Sequence, residues 1–94
     1  MKNLFFIFFI FLTSKILAEN NSDWLTHFVK AEKAYHLKDG NQAIEEYTKA
    51  IEFAPDQLSA YMGRGKTYEK MRKYEEAIQD FSFIINYQMF TIRI

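Results

Sequence analysis

From about residue 22 onward, apolar and polar positions follow one another with the period of a helix. Leu25, Phe28, Ala31, Ala34 and Tyr35 recur at three- and four-residue spacings, which predicts a first helix from Ser22 or Asp23 to about Leu37. Either Ser22 or Asp23 can accept hydrogen bonds from the free N–H groups at its start. Ala43, Ile44, Tyr47, Ala50 and Ile51 make the stripe of a second helix, about Gln42 to Ala54. Pro55 ends it, because proline lacks the N–H and clashes with the preceding turn. Between the two, Lys38-Asp39-Gly40-Asn41 has turn chemistry, with Gly40 expected to take the positive φ. A third helix, about Leu58 to Met71, turns Tyr61, Met62, Gly65 and Tyr68 inward. A fourth, about Tyr74 to Tyr87, turns Ala77, Ile78, Phe81, Ile84 and Ile85 inward. Such short connections make successive helices antiparallel neighbours.

The second pair of helices repeats the first. Ala43-Ile44-Glu45-Glu46-Tyr47 is echoed 34 residues later by Ala77-Ile78-Gln79-Asp80-Phe81, and the same offset relates His27 to Tyr61, Ala31 to Gly65 and Ile51 to Ile85. A period of this length, carried by small and apolar residues, marks a helical hairpin that buries its face only by stacking on a neighbour. Ala31, Ala43, Gly65 and Ala77 let backbones approach, and Tyr47 and Phe81 fill the space beside them. The expected fold class is all-α, an α-solenoid of two stacked helix-turn-helix hairpins.

Ala31, Ala34-Tyr35, Asp39, Ala43-Ile44, Tyr47, Ala50-Ile51 and Pro55 together resemble one tetratricopeptide (TPR) repeat. Ala60-Tyr61, Arg64-Gly65, Tyr68, Lys73 to Ile78, Asp80-Phe81 and Ile84-Ile85 resemble the next. The domain reading is a repeat over 24–57, a second over 58–88 and an irregular tail over 89–94. Each copy departs from the pattern: Ala34 stands where tyrosine is usual, Gly40 where the second copy has Tyr74, and Met89 where the first has Pro55. The resemblance implies a right-handed superhelix whose first helices line a concave groove for an extended peptide or partner helix. Its groove positions fall here on Leu25, Phe28, Glu32 and Tyr35, then on Ser59, Met62, Lys66, Glu69 and Lys70. One subfamily clamps the C-terminal carboxylate of chaperones with Lys and Asn. Those positions hold Phe28, Glu32 and Gly63 here, so no such clamp is expected.

The first 18 residues have a different character. A basic start at Lys2, an unbroken apolar run from Leu4 to Leu12 and a small residue at Ala18 make the layout of a secretory signal, cut after Ala18. Nine apolar residues fall well short of the roughly 20 that cross a bilayer as a helix. The protein is therefore expected to be exported, periplasmic or secreted, with no stable membrane span after cleavage. That cut removes Lys2 and Lys15 from 12 basic residues and none from 12 acidic ones, leaving a formal charge of −2. A slightly acidic chain lacks the basic face of a nucleic-acid binder, and the absence of cysteine precludes disulfides. Asn20-Asn21-Ser22 fits the N-glycosylation acceptor pattern.

Catalytic chemistry has little to stand on. His27 and Asp23 can share a helix face and His36 lies further along, but no matched acid, nucleophile elbow or glycine-rich loop accompanies them. No enzyme activity, metal or cofactor is expected, and His27 reads as a packing residue like its counterpart Tyr61. Glu45-Glu46 and Glu75-Glu76 read as solubilising carboxylates on exposed flanks. The expected role is protein–protein interaction through the groove. The alternative is a fragment or structural cap of a longer repeat protein with no groove ligand of its own. Two repeats bury less than the roughly three such arrays need, so self-association through the open C-terminal end, or partial unfolding, is expected. The alternation of apolar and polar residues over 88–94 suggests a strand or an unstructured end.

Overall fold

The computed structural model describes residues 23–93. Four helices and no strand make up the described residues: α1 over 23–36, α2 over Gly40–Phe53, α3 over Leu58–Lys70 and α4 over Tyr74–Arg93. They form two helical hairpins, and α3 packs on both α2 and α4. This is the stacked arrangement of a TPR-like α-solenoid. The expected signal segment and Asn20 lie outside the described residues.

The core between the hairpins is built from small residues around one ring. Ala31, Ala34, Ala43, Ala50 and Ala60 surround the fully buried Tyr47, with Phe28, Tyr35 and Ile51 packed against them. Alanine lets three helices converge on a single aromatic without voids, so the packing of α1, α2 and α3 depends on that ring. Gly65 does the same in the second hairpin, where an added Cβ would lie 2.6 Å from the Phe81 ring.

Both hairpin turns use one device, and it differs from the one expected. Gly40 has no positive φ; it is the first residue of α2, and its missing side chain makes room for the Met71 sulfur. The left-handed residues are Lys38 (φ 63°) and Arg72 (φ 62°), 34 positions apart. Each closes a Schellman motif. Lys38 and Asp39 N–H groups donate to the Tyr35 and Ala34 carbonyls, as Arg72 and Lys73 donate to Glu69 and Tyr68. The Asp39 side chain then caps α2 by accepting from the Gln42 N–H at 3.2 Å.

The expected irregular tail is helical, since α4 continues to Arg93. No proline interrupts it, and Met89 and Ile92, read as part of an alternation, also follow Ile85 at four- and three-residue helical spacing. The Thr91 hydroxyl donates back to the Tyr87 carbonyl at 2.9 Å, as it does within a helix. Ile78 and Ile85, expected inward, are exposed, although their counterparts Ile44 and Ile51 are half-buried where α3 packs on α2. Leu25 and Met62 are likewise exposed.

Candidate functional site

A cleft of about 340 Å³ opens between α1 and α3. Phe28, Glu32, Tyr35 and His36 form one wall, and Ser59, Met62, Gly63 and Lys66 form the other. Tyr47 of α2 lies beneath, its ring set edge-on to Phe28 with centroids 6.0 Å apart. Its hydroxyl donates to Glu32 Oε1 at 2.5 Å. Burial, then the bond to Glu32, pushes the Tyr47 phenol well above its usual value, so it stays a donor. Gly63 is required here, because a Cβ would come within 2.4 Å of the Tyr47 ring.

A second cleft of about 270 Å³ lies alongside, lined by Lys38, Gly40, Thr67, Lys70 and Met71. Tyr35 lines both, and the Lys70 ammonium sits 4.7 Å above its ring. That cation–π contact holds a long, flexible lysine in place. The combined face has apolar groups at Phe28 and Met62 on opposite walls, one carboxylate at Glu32, and ammonium groups on Lys38, Lys66 and Lys70.

Of the expected groove residues, Phe28, Glu32, Tyr35, Ser59, Met62 and Lys66 come together around the first cleft. Lys70 lines the second, and Leu25 and Glu69 line neither. His36 and Tyr47 are additions. The periodicity placed Tyr47 in the core, which is correct, but gave no sign that its hydroxyl reaches the cleft.

Beside the groove lie two polar clusters, one within the first hairpin and one that joins both hairpins. Glu46, expected on a solvated flank, is buried and bonded to His27 Nδ1 at 2.6 Å. The helical twist explains this: Glu45 points outward to Lys49, whereas Glu46 turns one step further, toward α1. The His27 ring stacks on Phe53 with centroids 5.5 Å apart, and Gln42 Nε2 donates to Glu46 Oε1 at 3.2 Å. Burial pushes the Glu46 carboxyl up. The hydrogen bond from His27 and the charges of Lys49, His27 and Lys30 outweigh that and hold it below its usual value. The matched acid that the histidine lacked in the linear sequence is thus supplied across the hairpin.

In the second hairpin Arg64 grips the buried Asp80 with two hydrogen bonds, Nε at 2.9 Å and Nη2 at 2.7 Å. Its Nη1 donates to Thr48 of α2 at 3.2 Å, so one guanidinium joins both hairpins. The Tyr61 and Tyr68 rings lie 5.8 and 6.0 Å from its central carbon. The hydrogen bonds to Asp80 raise the Arg64 pKa further. Among the described residues, no group of three His, Asp or Glu could hold a metal, and no helix is long and apolar enough to cross a membrane.

Residues 34–71 match the TPR repeat family model. That segment runs from within α1 to the end of α3, so it contains the contact between the hairpins. Two curated relatives match over 47 residues: Hsp70-Hsp90 organizing protein 3 of Arabidopsis thaliana at 45% identity and Hsp70-Hsp90 organizing protein of Triticum aestivum at 40%. Each match covers 50% of this chain and 8% of the relative. No solved structure gives a significant match. The repeat match and the stacked hairpins agree on a TPR-like helical-hairpin fold.

Proposed function

We propose that the chain is a protein–protein interaction module that holds a peptide segment or partner helix across the α1–α3 face. The observation that carries this reading is the cleft itself: Phe28 and Met62 give it apolar walls, and Lys66 and Glu32 offer opposite charges across it. The names of the relatives suggest proteins of the chaperone machinery as a class of partner. The chemistry of this groove argues against capture of a free C-terminal carboxylate, because Glu32 stands in the groove and Phe28 and Gly63 bring no cation. An amphipathic segment with an apolar anchor and one basic group suits it better. Export through residues 1–18 belongs to the same reading, and mass spectrometry of the secreted form should find a chain beginning at Glu19.

Selection from a random peptide library, followed by calorimetry, tests the groove. Peptides of the amphipathic class are expected to bind the parent and to lose affinity on Met62→Glu, whose side chain is exposed and whose change spares the core. Ile85→Glu, on α4, should leave that binding unchanged. Binding indifferent to Met62→Glu, or micromolar affinity for an acidic C-terminal peptide, overturns the reading. The second reading, a structural unit of a larger assembly, is favoured by the apolar outer face of α4.

A further inference from the structure

The outer face of α4 carries Tyr74, Ile78, Ile85, Met89 and Ile92 in one stripe, all more than half exposed. The three isoleucines, 62%, 55% and 83% exposed, are spaced by seven residues each. A seven-residue apolar repeat is the seam of paired helices, since it returns to nearly the same face every two turns. From Phe81 to Ile92 no residue is charged. A solvated helix face normally carries ions, so this stripe is built to be covered.

The obvious cover, head-to-tail stacking of a second copy through its α1, fails on sterics. In the first hairpin, α3 approaches the Tyr47 ring through Gly63, where even a Cβ has no room. The counterparts of Tyr47 and Gly63 are Phe81 and Val29, so α1 would bring a branched side chain to the point where α3 needs none. A membrane surface fits no better, because helices that lie on bilayers carry Lys or Arg along the polar face. Between Ile78 and Ile92 the polar residues flanking this stripe, Gln79, Ser82 and Asn86 among them, are uncharged.

We propose that α4 pairs antiparallel with α4 of a second copy, about a two-fold axis at Ile85. Ile78 and Ile92 lie equally far on either side of Ile85, so the axis sets each Ile78 against the Ile92 of the other copy. Met89 falls opposite Phe81 in the same way. The pairing is self-complementary and brings no like charges together along the seam. Glu75 and Glu76, in the first turn of α4, choose the direction. A parallel pair would bring the acids of both copies to one end, whereas the antiparallel pair separates them by about 30 Å at 1.5 Å per residue.

The chain has no cysteine, so single thiols report the geometry directly. Full-length Ile85→Cys, oxidised with copper phenanthroline, should form a disulfide dimer more than an order of magnitude faster than Ile78→Cys alone, because only the axis residue meets its own copy within disulfide reach. A mixture of Ile78→Cys and Ile92→Cys should give the mixed dimer. By light scattering, Ile85→Glu should convert the parent dimer to monomer while Ile44→Glu in the first hairpin does not create one selectively. Four results overturn the proposal: a monomeric parent, fastest crosslinking by Ile78→Cys alone, equal crosslinking at all three sites, or binding to phosphatidylcholine vesicles with Ile85→Cys unreactive.

Discussion

In the first hairpin Glu46 of α2 is held by His27 of α1; in the second, Asp80 of α4, its counterpart 34 residues on, is held by Arg64 of α3. The acid recurs with the period, but its partner does not. The counterpart of His27 is Tyr61, and that of Arg64 is Lys30, which contributes to Glu46 only through its charge. The cleft shows the same logic. The Tyr47–Glu32 hydrogen bond is replaced in the second hairpin by Phe81 and Lys66, so donor and acceptor disappear together. The repeat dictates where helices touch, and polar groups at those contacts change in sets so that none is left orphaned. Indeed, no buried side-chain polar atom lacks a partner among the described residues.

The sharpest way to break this comparison is to remove the two acids in turn. Asp80→Ala strands a partly buried guanidinium that cannot shed its charge, and should cost about 3 kcal/mol, toward the low end for a broken buried pair. Glu46→Ala should cost less, about 1.5 kcal/mol, because it removes hydrogen bonds to His27 and Gln42 and strands no guanidinium. Urea unfolding at fixed protein concentration measures both. Equal losses would show that the two clusters are interchangeable.

The two glycines separate the hairpins next. Gly63→Ala drives a Cβ into Tyr47, whose ring is fully buried and tethered to Glu32. Gly65→Ala drives one into Phe81, which is only partly buried and has room to shift. The expected losses are about 2 and about 1 kcal/mol, overpacking being felt most where neighbours cannot move. A larger loss at Gly65 would mean that the Phe81 ring has no room to shift.

Much of this was legible beforehand, because apolar periodicity reports helix faces and the 34-residue offset reports stacking. It gave the four helices and the small-residue contacts, while the residues of the cleft came from the resemblance to the repeat family. Besides the exposure of Ile78 and Ile85 and the helix beyond residue 88, what it missed was polar. Glu46 sits beside Glu45 in sequence, and only the 100° step between them, together with a histidine 19 residues away, makes one buried and the other solvated. Arg64 entered only as a residue of the repeat resemblance, and nothing in the pattern paired it with Asp80 or with Thr48. The turn went astray for a related reason: glycine favours a positive φ, but Gly40 is committed to close approach with Met71.

Acid titration sharpens the first pair further. The Glu46 carboxyl titrates below its ordinary value in the folded state. Its stabilising contribution is therefore complete above the ordinary carboxylate range and is lost as pH falls through the lowered folded value. Glu46→Gln should flatten the decline in stability below about pH 4.3, the unperturbed glutamate value. An unchanged slope would place the acid response in other carboxylates.

The smallest effect tests what the hairpins share. Lys38 and Arg72 both hold a left-handed conformation that costs a side-chain-bearing residue roughly 1 kcal/mol or more. Glycine relieves that strain but loses more freedom on folding, so each of Lys38→Gly and Arg72→Gly should gain about 0.5 kcal/mol. The turns share no hydrogen-bond partner, but Met71 beside Arg72 packs on Gly40 near Lys38, so any departure of the double variant from the sum measures coupling through that contact. Lys38 also lines the second cleft, so its substitution could weaken a ligand there, whereas Arg72 lines neither cleft and reports the turn alone. A gain at Arg72 without one at Lys38 would show that the first turn has a further constraint, the Asp39 cap that follows it being the nearest one in the chain.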